Sequence, residues 1–298
     1  MTPLLYLEAA LSVMWQHALM RHEVDWERIS DEARRRCTDA TSVRDTYPTI
    51  EWALTALGDG HSFFSPPERG TQALASGQYQ DEVRSPSASI DERGLALLVV
   101  PSFRGSPQQI ATYAGTLGDA IQQLAAKQPQ GWIVDVTDNP GGNMLPMLAG
   151  LAPLLGAGTV GFFVDGEGTH VTWRCDTIGG FWLDDELMVA GHRRNVDDGL
   201  AHSPVAVLIG PRTASSGEAV VVAFRGRDRT RTFGQPTRGL TTCNDTFDLA
   251  DGATIVLTVA RFADRHAVVC DGPVLPDETV STGAATYDAA ATWVLGSA

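Results

Sequence analysis

From Pro3 to about Leu57 the apolar residues recur at helical spacing: Leu4, Leu7, Leu11, Met14 and Trp15, then Ile50, Ala53, Leu54 and Leu57. The spacing predicts a small helical domain, with Asp25 and Asp45 as cap residues and Pro48 breaking the pattern near Thr49. It ends at Gly58-Asp59-Gly60-His61-Ser62. From Ser65 to Ser89 the chain is polar and carries Pro66, Pro67, Gly70, Gly77 and Pro86, which reads as a linker or surface excursion. Beyond it, short apolar runs alternate with amphipathic stretches. Leu95–Val100, Trp132–Val136, Thr159–Val164, Pro204–Ile209 and Ala253–Ala260 read as strands, and Gln108–Ala126 and Met144–Leu155 as helices. Asp165–His202 reads as a polar insertion. The expectation is an α/β protein: a helical domain over residues 1–75, then a sheet covered by helices over residues 76–298.

Composition narrows the classes. The chain has 298 residues, and 43% are hydrophobic, enough for a core. Its formal net charge of −14 opposes nucleic acid and anionic membrane surfaces alike. The apolar N-terminal run lacks a basic start and is interrupted by Glu8, so a cytoplasmic protein without a signal peptide is expected. Cys37, Cys175, Cys243 and Cys270 are scattered and form no C-x-x-C pair. Neither a disulfide framework nor a metal site is expected, and no cofactor.

Candidate chemistry centres on Pro211-Arg212-Thr213-Ala214-Ser215-Ser216-Gly217-Glu218. An apolar run feeding a helix through small residues would hold the Ser215 hydroxyl at a helix N-terminus, where N–H groups favour developing negative charge. The same string has the form of a capping box, Ser215 with Glu218 three residues on, and the two readings are compatible. Serine needs a base. The chain holds a single lysine, Lys127, between a helix and a strand, so a Ser–Lys dyad is poorly supported. Among seven histidines, His61, flanked by Gly58, Asp59 and Gly60, is the best placed, and His266 is second. Asp138-Asn139-Pro140-Gly141-Gly142 is an ordinary strand-to-helix turn or a pair of approachable backbone donors at Gly141 and Gly142. Ser216 would supply the companion N–H.

Together these segments resemble the tail-specific, or C-terminal processing, serine peptidases. The matching pieces run in order: Leu57–Ser62, Gly131–Asp135 into Asn139–Asn143, Val205–Gly210 into Thr213–Glu218, Gly234–Gly239, and Pro276-Asp277. The resemblance implies a Clp protease/crotonase-like α/β domain, Ser215 as nucleophile and the Gly141-Gly142 turn at the oxyanion. The lysine-type branch carries its base where this chain has Leu240. The histidine-type branch, resembling the tricorn core, takes it from the helical region, where His61 matches. Asp271 is nominated as third catalytic member, and Arg238 as a partner for a substrate carboxylate. The implied substrate is a peptide or related acyl compound.

Departures from the family pattern keep other readings in view. Thr137 and Asp138 stand where arginine and glycine are usual, and a carboxylate there would oppose an oxyanion. Cys270 and Asp271 replace the supporting glutamate, and no segment suggests a PDZ domain. A non-proteolytic binding module of the same fold and an ester or thioester hydrolase or cyclase are the alternatives. A crotonase-like enzyme, the third possibility, would need acid/base carboxylates and a coenzyme A site, and the sequence shows no clear sign of either.

Overall fold

A computed structural model describes residues 1–67, 84–191 and 199–297. The expected boundary at 75/76, most of the polar excursion and His192 lie outside the described residues. The chain forms two compact units. One comprises Met1–Tyr79, Val164–Thr169 and Thr242–Arg261, and the other the remainder.

In the first unit, Thr2 caps helix α1 (Pro3–His17) by accepting the Leu5 N–H, and Pro3 sits where its missing donor costs nothing. Asp25 caps α2 (Trp26–Arg36) through the Arg28 N–H at 3.0 Å. A 3₁₀ turn, Val43–Thr46, leads into α3 (Tyr47–Ala56). Tyr6, Leu7, Ala10 and Met14 from α1, Ile29 and Ala33 from α2, and Ile50, Ala53 and Leu54 from α3 are buried together. They pack against Phe64, Leu249, Ile255 and Leu257. This unit is therefore not purely helical. Strand β1 (Phe63–Ser65) and strand β11 (Thr242–Asp248) both run antiparallel to β12 (Thr254–Asp264), whose last three residues belong to the second unit.

The second unit is built on a six-stranded sheet of order β13-β10-β9-β4-β3-β2. Here β2 is Ser87–Ile90, β3 Leu95–Val99, β4 Gly131–Asp135, β9 Val205–Ile209, β10 Thr230–Gly234 and β13 Glu278–Thr279. All neighbours pair parallel except the edge strand β2. Both faces are covered, which is why β4 and β9 read as unbroken apolar runs. Ile133, Ala206, Leu208 and Phe233 meet Ala290, Ala291 and Val294 of the C-terminal helix Ala284–Gly296. Trp132, Val134, Val205 and Val207, at the alternate positions, are buried as well. Helix α4 (Pro107–Ala125) packs on α5 (Met144–Leu155), and α5 on α6 (Ser216–Phe224). Strands β6 (His170–Cys175), β7 (Phe181–Leu183) and β8 (Glu186–Val189) form an antiparallel meander within the stretch expected to be a polar insertion. Among the described residues, no helix is long and apolar enough to cross a membrane.

Candidate active site

Parallel strands leave their C-terminal ends in register, so the loops after β4 and β9 meet at one edge of the sheet. After β9 the chain turns at Gly210. The Thr213 hydroxyl accepts the Gly210 N–H at 3.0 Å and donates to the Val136 carbonyl at 2.8 Å, which ties this turn to the end of β4. The Ala214 N–H reaches the Asn139 carbonyl at 3.0 Å. Ser215 follows at φ 51°, ψ −119°, a region that residues with a side chain rarely occupy, and α6 starts at Ser216. Such a backbone costs on the order of 1–3 kcal/mol and persists only where the surroundings over-determine it.

The restraint is Glu218. This fully buried carboxylate accepts the Ser215 N–H and the Leu240 N–H on Oε2, both at 2.8 Å. On Oε1 it accepts the Gly239 N–H at 2.8 Å and the Thr237 hydroxyl. The capping-box expectation is met on the glutamate side, and the carboxylate does more than cap: it joins the serine turn to the 237–240 loop. Burial pushes the Glu218 carboxyl above its ordinary value, with the four donors partly offsetting that.

The turn after β4 lies against the serine. Asn139, fully buried, donates to the Val100 carbonyl at 3.0 Å and accepts the Gly141 N–H at 3.0 Å. A Cβ on Gly141 would sit 2.8 Å from the Ser215 Cβ, so glycine is required for this approach. The Ser216 hydroxyl donates to the Gly142 carbonyl at 2.6 Å. Of the two glycines nominated from the sequence, Gly141 has its N–H committed to Asn139. Among the described residues, the N–H groups of Gly142 and Ser216 have no protein acceptor. Asp138, the departure of concern, is exposed and pairs with the exposed Arg212 at 3.2 Å, so solvent and a cation screen its charge. Together with Asp135, Thr137, Arg84, Val99 and Pro101 it borders a cavity of about 410 Å³.

His61 belongs to the first unit. Asp59 accepts the His61 N–H at 2.8 Å and the Ser62 N–H at 2.7 Å on Oδ1, and the Ser62 hydroxyl at 2.6 Å on Oδ2. The Asn244 amide donates to the His61 carbonyl at 3.1 Å. On the ring, Nδ1 lies 2.8 Å from the Thr242 hydroxyl oxygen. Neither Thr242 nor Asn244 was singled out from the sequence, because a threonine and an asparagine in a polar strand carry no spacing signal.

Arg238, Asp271 and His266 are the remaining nominees, and of these Arg238 lies in the loop tied to the serine turn. Arg238 is exposed, and its backbone N–H donates to the Thr213 carbonyl at 2.9 Å. Asp271 is exposed on the wall of a 270 Å³ pocket that it shares with Arg225, Cys270 and Leu275. His266 places Nε2 3.1 Å from the Gly226 carbonyl oxygen. Lys127 precedes β4 and Ser215 follows the parallel strand β9, so the length of a five-residue strand, about 16 Å, separates their ends of the sheet. A Ser–Lys dyad with Lys127 is thereby excluded.

A parallel-centred α/β fold here holds a serine in a strained strand-to-helix turn beside a glycine turn, an arrangement that also displays the nucleophile of α/β serine hydrolases. The model of peptidase family S41 matches residues 94–280, more than half of the chain, and the chain belongs to that family of serine peptidases. It is 28% identical over 279 residues to the nisin-resistance protein of Lactococcus lactis subsp. lactis, covering 93% of this chain and 83% of that protein. It is 29% identical over 163 residues to the carboxyl-terminal-processing protease of Synechocystis sp., covering 54% of this chain and 33% of that protein. The chain thus spans about a third of the length of that processing protease. Solved structures that share the fold include the following two. A lipoprotein from Streptococcus agalactiae has a TM-score of 0.82 at 24% identity, covering 100% of this chain and 98% of that one. A photosystem II D1 C-terminal processing protease has a TM-score of 0.64 at 15% identity, covering 94% of each.

Proposed function

We propose that this chain cleaves peptide bonds through an acyl-enzyme on Ser215, with His61 as the general base. The observation that carries the reading is the Ser215 backbone at φ 51°, ψ −119°, held by Glu218 at the N-terminus of α6. His61 Nε2 takes the proton from the Ser215 hydroxyl as its oxygen attacks the substrate carbonyl. The tetrahedral oxyanion is stabilised by the N–H groups of Ser216 and Gly142, each such donor contributing about 3–4 kcal/mol in comparable hydrolases. Imidazolium then gives its proton to the departing amine, and water repeats the sequence on the ester.

The substrate class follows from the family. One relative is named for carboxyl-terminal processing and another for nisin resistance, which makes peptides bearing a free C-terminal carboxylate, and nisin itself, the first substrates to try. Arg238 is the proposed partner of that carboxylate. The test is hydrolysis of a peptide panel by wild type and by Ser215→Ala and His61→Ala. Each variant is expected to remain folded and to lose activity, Ser215→Ala by roughly a millionfold. A Ser215→Ala variant that cleaves the same peptide at the wild-type rate overturns the reading.

A further inference from the structure

We propose that Thr242 is the positioning residue of His61. Its hydroxyl oxygen accepts the Nδ1–H, which fixes the ring and leaves Nε2 unprotonated to act as base. This rests on the assignment of His61 as the base.

His61, Thr242 and Asn244 all belong to the first unit. The Nδ1-to-Oγ1 separation of 2.8 Å is a full hydrogen bond. For Nε2 to accept a proton, the neutral ring must carry its own proton on Nδ1, so Nδ1 donates and the hydroxyl accepts. The nearby carboxylate in sequence, Asp59, is not the acceptor that its position suggests. Its two oxygens hold the His61 N–H, the Ser62 N–H and the Ser62 hydroxyl, and so shape the loop rather than the ring.

Thr242 is also well anchored for this task. It opens β11 opposite Arg261 of β12, and two residues on, at the same face of the strand, Asn244 holds the His61 carbonyl at 3.1 Å. Asn244 is fixed in turn, its Oδ1 accepting the Thr258 hydroxyl at 3.0 Å, while the Ser62 hydroxyl oxygen accepts the Thr258 N–H at 2.9 Å. The ladder between β11 and β12 shifts register between Cys243 and Asn244, with Val259 of β12 as the extra residue, so β11 itself keeps the regular alternation that puts Thr242 and Asn244 on one face. One strand thereby sets both the ring and the backbone of His61. Because the acceptor is a neutral hydroxyl, it supplies direction and tautomer without the charge a carboxylate would place behind the imidazolium.

Long-range ¹H–¹⁵N spectra of the full chain test the tautomer, and steady-state peptide hydrolysis tests its consequence. In wild type, neutral His61 is expected to be protonated on Nδ1. In Thr242→Val the two tautomers are expected to mix, and kcat to fall about 10–100-fold while KM stays within about twofold. Thr242→Ser, which restores the acceptor, is expected to recover most of the rate and the wild-type spectrum. A wild-type His61 protonated on Nε2 overturns the inference whether or not the valine variant folds. So does a Thr242→Val enzyme with wild-type kcat alongside an inactive His61→Ala. An active His61→Ala removes the base assignment itself, a separate and distinguishable failure.

Discussion

Ser215 holds a backbone that side-chain-bearing residues avoid, and Glu218 is the group that keeps it there. Four donors converge on that one buried carboxylate: two loop N–H groups, the Ser215 N–H and the Thr237 hydroxyl. In Glu218→Gln an amide NH₂ replaces one of the two acceptor oxygens and faces donors. With two donors unsatisfied at about 1–3 kcal/mol each, the variant is expected to lose about 2–6 kcal/mol in urea unfolding. Its Ser215 is also expected to react more slowly. The pH dependence has a definite sign. Burial raises the Glu218 carboxyl in the folded chain, so between the unfolded and folded values the native state holds the extra proton. The contribution of this group to stability is present at the low end of that window and is lost as pH rises through it. The stability of wild type minus that of Glu218→Gln is therefore expected to decrease with pH across that window, and an increase would contradict the burial argument.

Among the elements, those with strong periodicity were legible in the sequence. Helix Met144–Leu155 and strand Val205–Ile209 fall where the apolar pattern puts them, and the serine turn joins the expected strand and helix. Other elements were hidden for identifiable reasons. Strands β6–β8 are only six, three and four residues long, too short to set up a clear alternation, and their first turn is made by one side chain: Asp176 accepts the Ile178 and Gly180 N–H groups and the Trp182 indole. The C-terminal helix Ala284–Gly296 is alanine-rich, so its buried face, Ala290, Ala291 and Val294, has little contrast with its exposed one. Strand β11, Thr242–Asp248, shows no apolar alternation, yet it carries both residues that hold His61. Its long-range pairing with β12 also makes the first unit discontinuous, which no local pattern reveals. The glycine turn was legible, and its geometry gives a test. Gly142 has φ 116°, and a Cβ there would lie 2.0 Å from the Phe103 carbonyl oxygen. Gly142→Ala must therefore displace the turn. Misplacements of about 1 Å in such sites cost on the order of 10²-fold in rate. Peptide hydrolysis by Gly142→Ala is expected to fall at least that far, and an unaffected rate would remove Gly142 from the oxyanion role.

At the scale of the whole molecule, the formal net charge of −14 bears on which peptides arrive. A field of one sign steers opposite charge and repels like charge, and salt screens both over about 8–10 Å. For a cationic and an anionic peptide of matched cleavage sequence, kcat/KM is expected to favour the cationic one at low ionic strength. The two values are expected to converge as salt is raised, and identical salt profiles would show that the overall charge has no part in selection. Within the second unit a buried carboxylate fixes the strained Ser215 turn, and within the first the ring and backbone of His61 are both tied down. The most direct measurement of this arrangement is covalent labelling of the intact chain by a fluorophosphonate, with the modified residue mapped by mass spectrometry. Wild type is expected to take up one label, on Ser215, while His61→Ala labels far more slowly and Ser215→Ala not at all. Wild type that stays unlabelled, or a label on any other serine, would contradict the assignment of the nucleophile.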